Sequence, residues 1–398
     1  MVSTIESNEL LVEKARSLVK VLRERGPVTD EIRRIPEESI RELKKMGLFT
    51  LLRPKMFGGL ETNMRTFADV IVEISRGCAS TGWILSLCNI RDLMIAESFS
   101  EKTHQEIFNS MDDVVFAGVF RPRKCIVERV ENGYIIKEGH WMFCSGSLHA
   151  TWGYFGMPLV DEQGKEIDLA LITIPFDELE IIDDWFTLGL CGTGSNSIKA
   201  TDVFVPDHRV VSFTKTTQGQ FDSPHLRDIP LYSTALAPAL HLSLGLPGLG
   251  IAQAALDTFL EKLPYRKVIN LGVKNQKDAV ITHLQVGEAS LKIDTAKMHY
   301  YRAADTLDEW ANSGEFMDVE TRMRCAADIG YANQQCKEAI DILLESSGGS
   351  YVYNRDPFQR IFRDFSTLYV HRSISPTSFK ENYGRLKSGL DLHPDALI

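Results

Sequence analysis

Residues Arg360 to Arg372, RIFRDFSTLYVHR, decide how this chain is read. They follow the glycine pair Gly348 and Gly349, which follows a run from 319 to 346. In that run Ala326, Ile329, Ala332, Cys336, Ala339 and Leu343 recur at three- and four-residue steps, the spacing of one apolar helix face. A glycine pair after such a helix reads as a C-cap, and it also lets other groups come close to the backbone. Taken alone, His371 reads as a helix C-terminal residue meeting carbonyls and the negative end of the dipole. Arg363 and Asp364 read as a structural ion pair.

Working outward, residues 278 to 312 form another long helix, with Val280, Leu284, Leu291 and Ile293 on one stripe. Two helices of that length suit a bundle. Residues 6 to about 110 are helical in pattern. Within them Ile40, Leu43 and Met46 take core spacing and Gly47 closes a short helix, and two more helices cover 64 to 76 and 80 to 97. Between these blocks the period changes. Strands are predicted over 114 to 120, 126 to 130, 134 to 137, 169 to 174, 179 to 182 and 198 to 205, ending at Pro206. Asn132-Gly133 marks a hairpin, because both residues tolerate positive φ. Helices, then strands, then helices make an α+β protein rather than an alternating α/β one. The expected division is an N-terminal helical domain, 1–113, a β domain, 114–215, and a C-terminal helical bundle, 216–398.

A chain of 398 residues with 44% hydrophobic and 25% charged residues is an ordinary globular composition, and a net charge of -10 argues against nucleic acid as a partner. The cysteines at 78, 88, 125, 144, 191, 325 and 336 form no CxxC pair. A disulfide framework or zinc site is not expected, no metal is expected, and a reducing cytoplasm fits. The N-terminal residues lack the unbroken apolar core of a signal peptide. Residues 231 to 256 contain no Asp, Glu, Lys or Arg, long enough for a membrane span, but Pro238, His241, Gly245, Pro247, Gly248 and Gly250 interrupt them. They read as a loop feeding a buried helix, with no membrane involved.

Residues 140 to 152, HWMFCSGSLHATW, allow two readings. One is a strand with Trp141 and Phe143 on one face, ended by a turn at Gly146 that His149 supports. The other is a wall against a planar cofactor, with the Ser145 hydroxyl or N–H donating to a ring nitrogen. Downstream, Gly189 and Gly192-Thr193-Gly194-Ser195 lack a following Gly-Lys-Ser/Thr and follow no βα unit, which excludes a P-loop and a nicotinamide fingerprint. Gly248-Leu-Gly250 lacks the third glycine of that fingerprint.

The order of these motifs resembles a known family. Trp141-x-Phe143-x-Ser145-Gly146-x-x-His149-x-x-Trp152, then Trp185, Gly192-Thr193-Gly194-Ser195, Val205-Pro206 and the Arg363-Asp364 tail are similar to the flavin-dependent monooxygenases built on the acyl-CoA dehydrogenase fold. These are the oxygenase components of two-component systems that act on p-hydroxyphenylacetate, steroid-derived phenols or dibenzothiophenes. The likeness runs from about Pro36 (GLFTLLRPKMFGG, then CASTGW) to Gly389. In the dehydrogenases the corresponding tail carries a Tyr-Glu pair whose Glu is often the base. Counted from Arg363, that pair falls on His371 and Arg372, so the carboxylate is missing.

The resemblance implies an N-terminal helical domain, a central β-barrel-like domain and a C-terminal four-helix bundle. It implies that Trp141, Phe143 and Ser145 line a flavin, that Arg266 meets the flavin phosphate, and that Gly348 and Gly349 let backbone approach it. Arg266 read alone is equally a solvated residue after Pro264-Tyr265. His371 would face substrate and flavin, with Ser145 beside the reacting ring. Reduced flavin, FMN first and FAD second, would react with O2 to give a peroxyflavin that hydroxylates an aromatic or oxidises a heteroatom. A separate NAD(P)H:flavin reductase, a small aromatic or heteroaromatic substrate and a homotetramer are implied with it. The helix after Gly82-Trp83 departs from the family in carrying Asn89, Arg91 and Asp92 but no histidine. Two alternatives stand beside this reading: an acyl-CoA dehydrogenase with its base elsewhere, and a non-catalytic member of the fold.

Overall fold

The computed structural model describes residues 7–109, 113–268, 272–393 and 395–398. Five helices come first: α1 (Asn8–Glu31), α2 (Glu37–Lys45), α3 (Met64–Gly77), α4 (Ala79–Ser98) and α5 (Glu101–Asn109). Local chemistry sets their ends. Ser7 and Asn63 accept the first free N–H groups of α1 and α3, and Gly47 takes a φ of 75° after α2. Every one of the 20 residues of α4 is buried, which makes it the central rod of the molecule.

Eight strands follow: β1 (Phe116–Ala117), β2 (Lys124–Val130), β3 (Gly133–Cys144), β4 (Trp152–Val160), β5 (Glu166–Pro175), β6 (Glu180–Ile182), β7 (Asn196–Pro206) and β8 (Val210–Ser212). They make two four-stranded sheets, ordered β1-β4-β5-β8 and β2-β3-β7-β6. Ile136, Trp141, Phe155, Ile172 and Ile198 fill the space between them. The hairpin turns at Asn132, whose φ is 62°, as its sequence predicts. Four strands differ from expectation, and one of them, β8, lies beyond the last predicted strand. Only two residues of 114–120 pair, in parallel with β4. β3 runs on to Cys144. β4 carries no strand signal, because Gly153, Gly156 and Pro158 interrupt it. Gly156 is required there: a Cβ on it would lie 1.7 Å from the Phe120 carbonyl oxygen.

The chain ends in helices α6 (Phe213–Thr217), α7 (Leu236–Lys262), α8 (Val280–Ser313), α9 (Val319–Glu345), α10 (Pro357–Tyr369) and α11 (Pro376–Lys387). α7, α8 and α9 pack on one another, α10 crosses α7 and α9, and α11 lies on α9. The apolar stretch read as a loop feeding a helix is helical from Leu236, with both prolines inside. It is a core helix, buried over most of its length. Pro238 stands in the first turn, where no N–H is needed. Pro247 removes the donor that the Ser243 carbonyl would use, and the Ser86 hydroxyl of α4 donates to that carbonyl instead, at 2.6 Å. A buried carbonyl without a partner destabilises by roughly 1–3 kcal/mol.

S86A should therefore lower unfolding stability by about 1–3 kcal/mol, measured by urea denaturation. In a P247A background, where the helix N–H returns, the same substitution should have a clearly smaller effect.

Candidate active site

The site begins where α3, α4 and α7 cross. A Cβ on Gly82 would lie 1.9 Å from Ser75 Oγ, and one on Gly250 would lie 2.4 Å from the Val72 carbonyl oxygen. Only glycine allows that approach, and it fixes the next residue, Trp83, against the β sheets. The Trp83 indole N–H donates to Ser145 Oγ at 3.0 Å. Its ring meets the His371 imidazole edge-on, with centroids 5.7 Å apart and planes at 62°. One side chain of α4 thus holds Ser145, just beyond β3, and His371, just beyond α10.

Ser145 opens a chain of hydroxyls. Its Oγ lies 2.8 Å from Ser195 Oγ, which lies 2.6 Å from Thr193 Oγ1, and Thr193 donates to the Leu190 carbonyl at 2.7 Å. Each hydroxyl has one hydrogen. Thr193 gives its own to Leu190, so Ser195 donates to Thr193 and Ser145 donates to Ser195. The Ser145 N–H is engaged by the Phe143 carbonyl at 3.0 Å. What Ser145 Oγ retains is one lone pair. The expected donor is therefore an acceptor, suited to a ring N–H.

Phe143 stands beside it, 63% exposed, with a φ of 67° that turns its ring away from the sheet core. Trp185 meets it at 88°, centroids 6.0 Å apart, and is held by an N–H bond to the Leu190 carbonyl at 3.0 Å. Together they make an open aromatic face. Trp141 does not belong to it. This indole has no exposed surface, packs on Phe155 at 4.8 Å between the sheets, and donates to the Gly156 carbonyl at 2.8 Å. The alternation that put Trp141 and Phe143 on one face breaks at a register shift between Trp141 and Cys144.

His371 is half-buried. Its Nδ1 accepts from the Ser373 N–H at 3.3 Å, so it caps the turn that follows α10, and as a neutral ring it carries its hydrogen on Nε2. Burial pushes its pKa down to about 4. His241 of α7 is pushed down to about 3, by burial first and by the nearby His371 second. Both rings are neutral near pH 7. The sequence alone puts His371 against the carbonyls and dipole at the end of α10; its ring instead accepts an N–H of the turn that follows. Arg363 and Asp364 are not an ion pair with each other. Arg363 binds Asp30 at 2.8 Å and the Leu188 carbonyl at 2.7 Å, while Asp364 accepts the Leu190 N–H at 2.7 Å. They clamp the Gly189–Gly194 turn onto α10. Burial raises the Asp364 carboxyl to about 6.

Arg266, Gly348 and Gly349 form a second group. Arg266 Nη2 donates to Ser350 Oγ at 2.8 Å, and no carboxylate pairs with it among the described residues. Gly348 has a φ of 60°, and a Cβ there would have Arg266 Nη2 as its nearest neighbour, at 3.9 Å; around Gly349 the space is open. A guanidinium with no carboxylate partner among the described residues, beside left-handed, open backbone, suits a phosphate. Among the described residues no hydrogen bond or ring contact joins this group to Ser145. The aromatic face, the acceptor on Ser145 and the Arg266 cradle fit a flavin. No group of three or more metal-ligating side chains occurs among the described residues.

Two family models match: the acyl-CoA dehydrogenase N-terminal domain over residues 6–111 and the acyl-CoA dehydrogenase C-terminal domain over residues 242–376. The flavin-dependent monooxygenase oxygenase subunit HsaA of Rhodococcus jostii is 30% identical over 383 residues, 96% of this chain and 99% of that one. This chain is a flavin-dependent monooxygenase oxygenase subunit. XiaF from a Streptomyces species, solved with FADH2 and glycerol, superposes with a TM-score of 0.92 at 29% identity, covering 98% of each chain. The 3-HSA hydroxylase of Rhodococcus sp. RHA1 superposes with a TM-score of 0.90 at 30% identity, over 96% of this chain and 98% of that one. The monooxygenase thus works with reduced flavin on the acyl-CoA dehydrogenase fold.

Sequence reading named Gly82-Trp83 as a landmark without giving the indole a role, and it missed His241. The signal for Trp83 was there: a Gly-Trp step inside an apolar helix marks close packing beside a donor that needs a partner.

The His371 imidazole should titrate near pH 4 rather than 6.5. NMR of the ring protons, assigned by their loss in H371Q, checks this. Because the folded pKa is lowered, this ring's contribution to stability is full above pH 6.5 and falls away as pH drops through about 4.

Proposed function

We propose that this oxygenase subunit hydroxylates a small aromatic, or oxidises a heteroaromatic, at a pocket bounded by His371, Trp83, Ser145 and Phe143. The observation that supports it is the double contact of Trp83, which puts an imidazole and a hydroxyl at the two ends of one indole. The bound flavin supplies electron transfer to O2 and oxygen transfer to an electron-rich atom. Every other part falls to the chain. Phe143 covers one face of the ring system, and Ser145 Oγ accepts from a ring N–H. Arg266, with the open backbone at Gly348 and Gly349, holds phosphate. His371, neutral with its hydrogen on Nε2, donates there to the substrate oxygen and orients it. Burial around it keeps water from the reacting atoms. A carboxylate base is absent from the position the dehydrogenases use, which favours oxygenation over acyl-CoA oxidation.

Electrons come from a separate NAD(P)H:flavin reductase, since the chain has no nicotinamide fingerprint. FMN is the expectation from sequence; the FADH2 bound to XiaF makes FAD the first flavin to test. The chain assembles as a homotetramer in the cytoplasm. Val280, Leu284, Leu291 and Met298 line α8 at four- and seven-residue steps and are all exposed, a seam that a second helix of the same kind would cover.

Incubation with chemically reduced FAD or FMN, O2 and a panel of aromatics, scored by product mass, tests the activity. Anaerobic bleaching of oxidised flavin by acyl-CoA would overturn it. H371A should keep flavin affinity and release peroxide in place of product, by at least about tenfold in coupling. R266A should weaken flavin binding about 10- to 100-fold, read by fluorescence titration. L284E/L291E should shift the sedimentation coefficient to a smaller species.

A further inference from the structure

α4 carries one ionised group, Arg91, for which the described residues supply no paired carboxylate. Arg91 is only 7% exposed. Its Nη2 donates to the Gly118 carbonyl at 2.7 Å, and its Nη1 has no partner. Asp92, the adjacent residue, is bonded to Arg53 at 3.1 Å. Glu97 lies further along the same helix, fully buried, with burial raising its carboxyl well above the usual range, and it is not among the groups that face Arg91. The titratable groups that face Arg91 are the Cys88 and Cys144 thiols and the Tyr154 phenol. Burial pushes both thiols up to about 12 and the phenol higher still, so none of them is an anion near pH 7.

A guanidinium does not shed its proton in a protein, and a buried one without an anion is strongly unfavourable. One nitrogen of Arg91 is taken by backbone, and the other is buried with no partner among the described residues. Its position connects it to the site: Arg91 lies two turns beyond Trp83 on α4, and it faces Cys144, the neighbour of Ser145. The missing anion therefore belongs to something that enters there.

We propose that Arg91 is the specificity-determining residue for a planar oxyanion on the substrate, which makes that substrate an aromatic carboxylate. The aromatic part rests on the function proposed above; the carboxylate rests on Arg91 alone.

The test is binding without turnover. Quenching of tryptophan fluorescence in the full-length protein, with oxidised flavin and without flavin, gives dissociation constants for pairs that differ only in charge. 4-Hydroxybenzoate is set against 4-hydroxybenzamide, with the matching arylacetate and arylpropanoate pairs. At least one acid should bind about tenfold or more tightly than its amide. R91Q should bring that acid down to the affinity of the amide. R91K should fall between, because an ammonium keeps the charge but not the two-pronged fork. Should R91Q fail to fold, the wild-type pairs decide. Acids that bind no better than amides, or not at all, overturn the proposal, as does an R91Q that keeps the preference. Oxygenation of neutral aromatics with no preference for acids would sink the Arg91 assignment and leave the monooxygenase activity standing.

Discussion

The indole of Trp83 is the contact on which the rest of the site depends. It reaches from the middle of the molecule to a hydroxyl supplied by the sheets and an imidazole supplied by the late helices. Those groups are 226 residues apart in the chain (371 less 145), and no local sequence force could hold them in register. The close crossing of α3, α4 and α7 removes the freedom of Trp83 to move away, since Gly82 and Gly250 leave the neighbouring backbones in direct contact. Rigidity at the crossing is passed to the site through one ring.

α4 shows how such a rod carries polar groups through a core. Asn89 accepts the Leu51 N–H at 2.7 Å and donates to the Leu48 carbonyl at 2.8 Å, so it splices the chain after α2 onto the helix. Asp92 and Arg53 form a buried pair, with Arg53 also donating to the Val114 carbonyl at 2.7 Å. Ser86 satisfies the carbonyl orphaned by Pro247. Asn89, Asp92 and Ser86 are each matched to a backbone defect or a partner in the neighbouring block, which lets a wholly buried helix bind separate layers together. Arg91 and Glu97 stand outside that pattern.

Much of the helical framework was legible in the sequence because long amphipathic runs have a period that tertiary packing seldom overrides. The ends of α8 and α9 fell within two residues of expectation for this reason. The β region was less legible. β4 contains Gly153, Gly156 and Pro158, chosen for close contact rather than strand preference, so its pattern reads as a loop. α7 was misread for a related reason: its prolines are breakers only where the lost hydrogen bond goes unreplaced, and Ser86 lies 161 positions from Pro247 (247 less 86). At the site, residue type and order singled out Ser145, His371, Arg266 and the glycines, but not that the Ser145 hydroxyl is left as an acceptor, which depends on Trp83, Ser195 and Thr193. The burial of Trp141 could not be anticipated, because one shifted residue in β3 exchanges the two faces of a strand.

The cysteines carry a last consequence. A protein that handles O2 beside a reduced cofactor is exposed to hydrogen peroxide whenever turnover misfires, and the species that peroxide attacks is thiolate. Cys144 is the immediate neighbour of Ser145, and burial holds it and Cys88 at about 12. At neutral pH such thiols stay protonated. The dry interior that shields the reaction from water thus also keeps its sulfur chemically silent, giving the enzyme a built-in tolerance of its own oxidant.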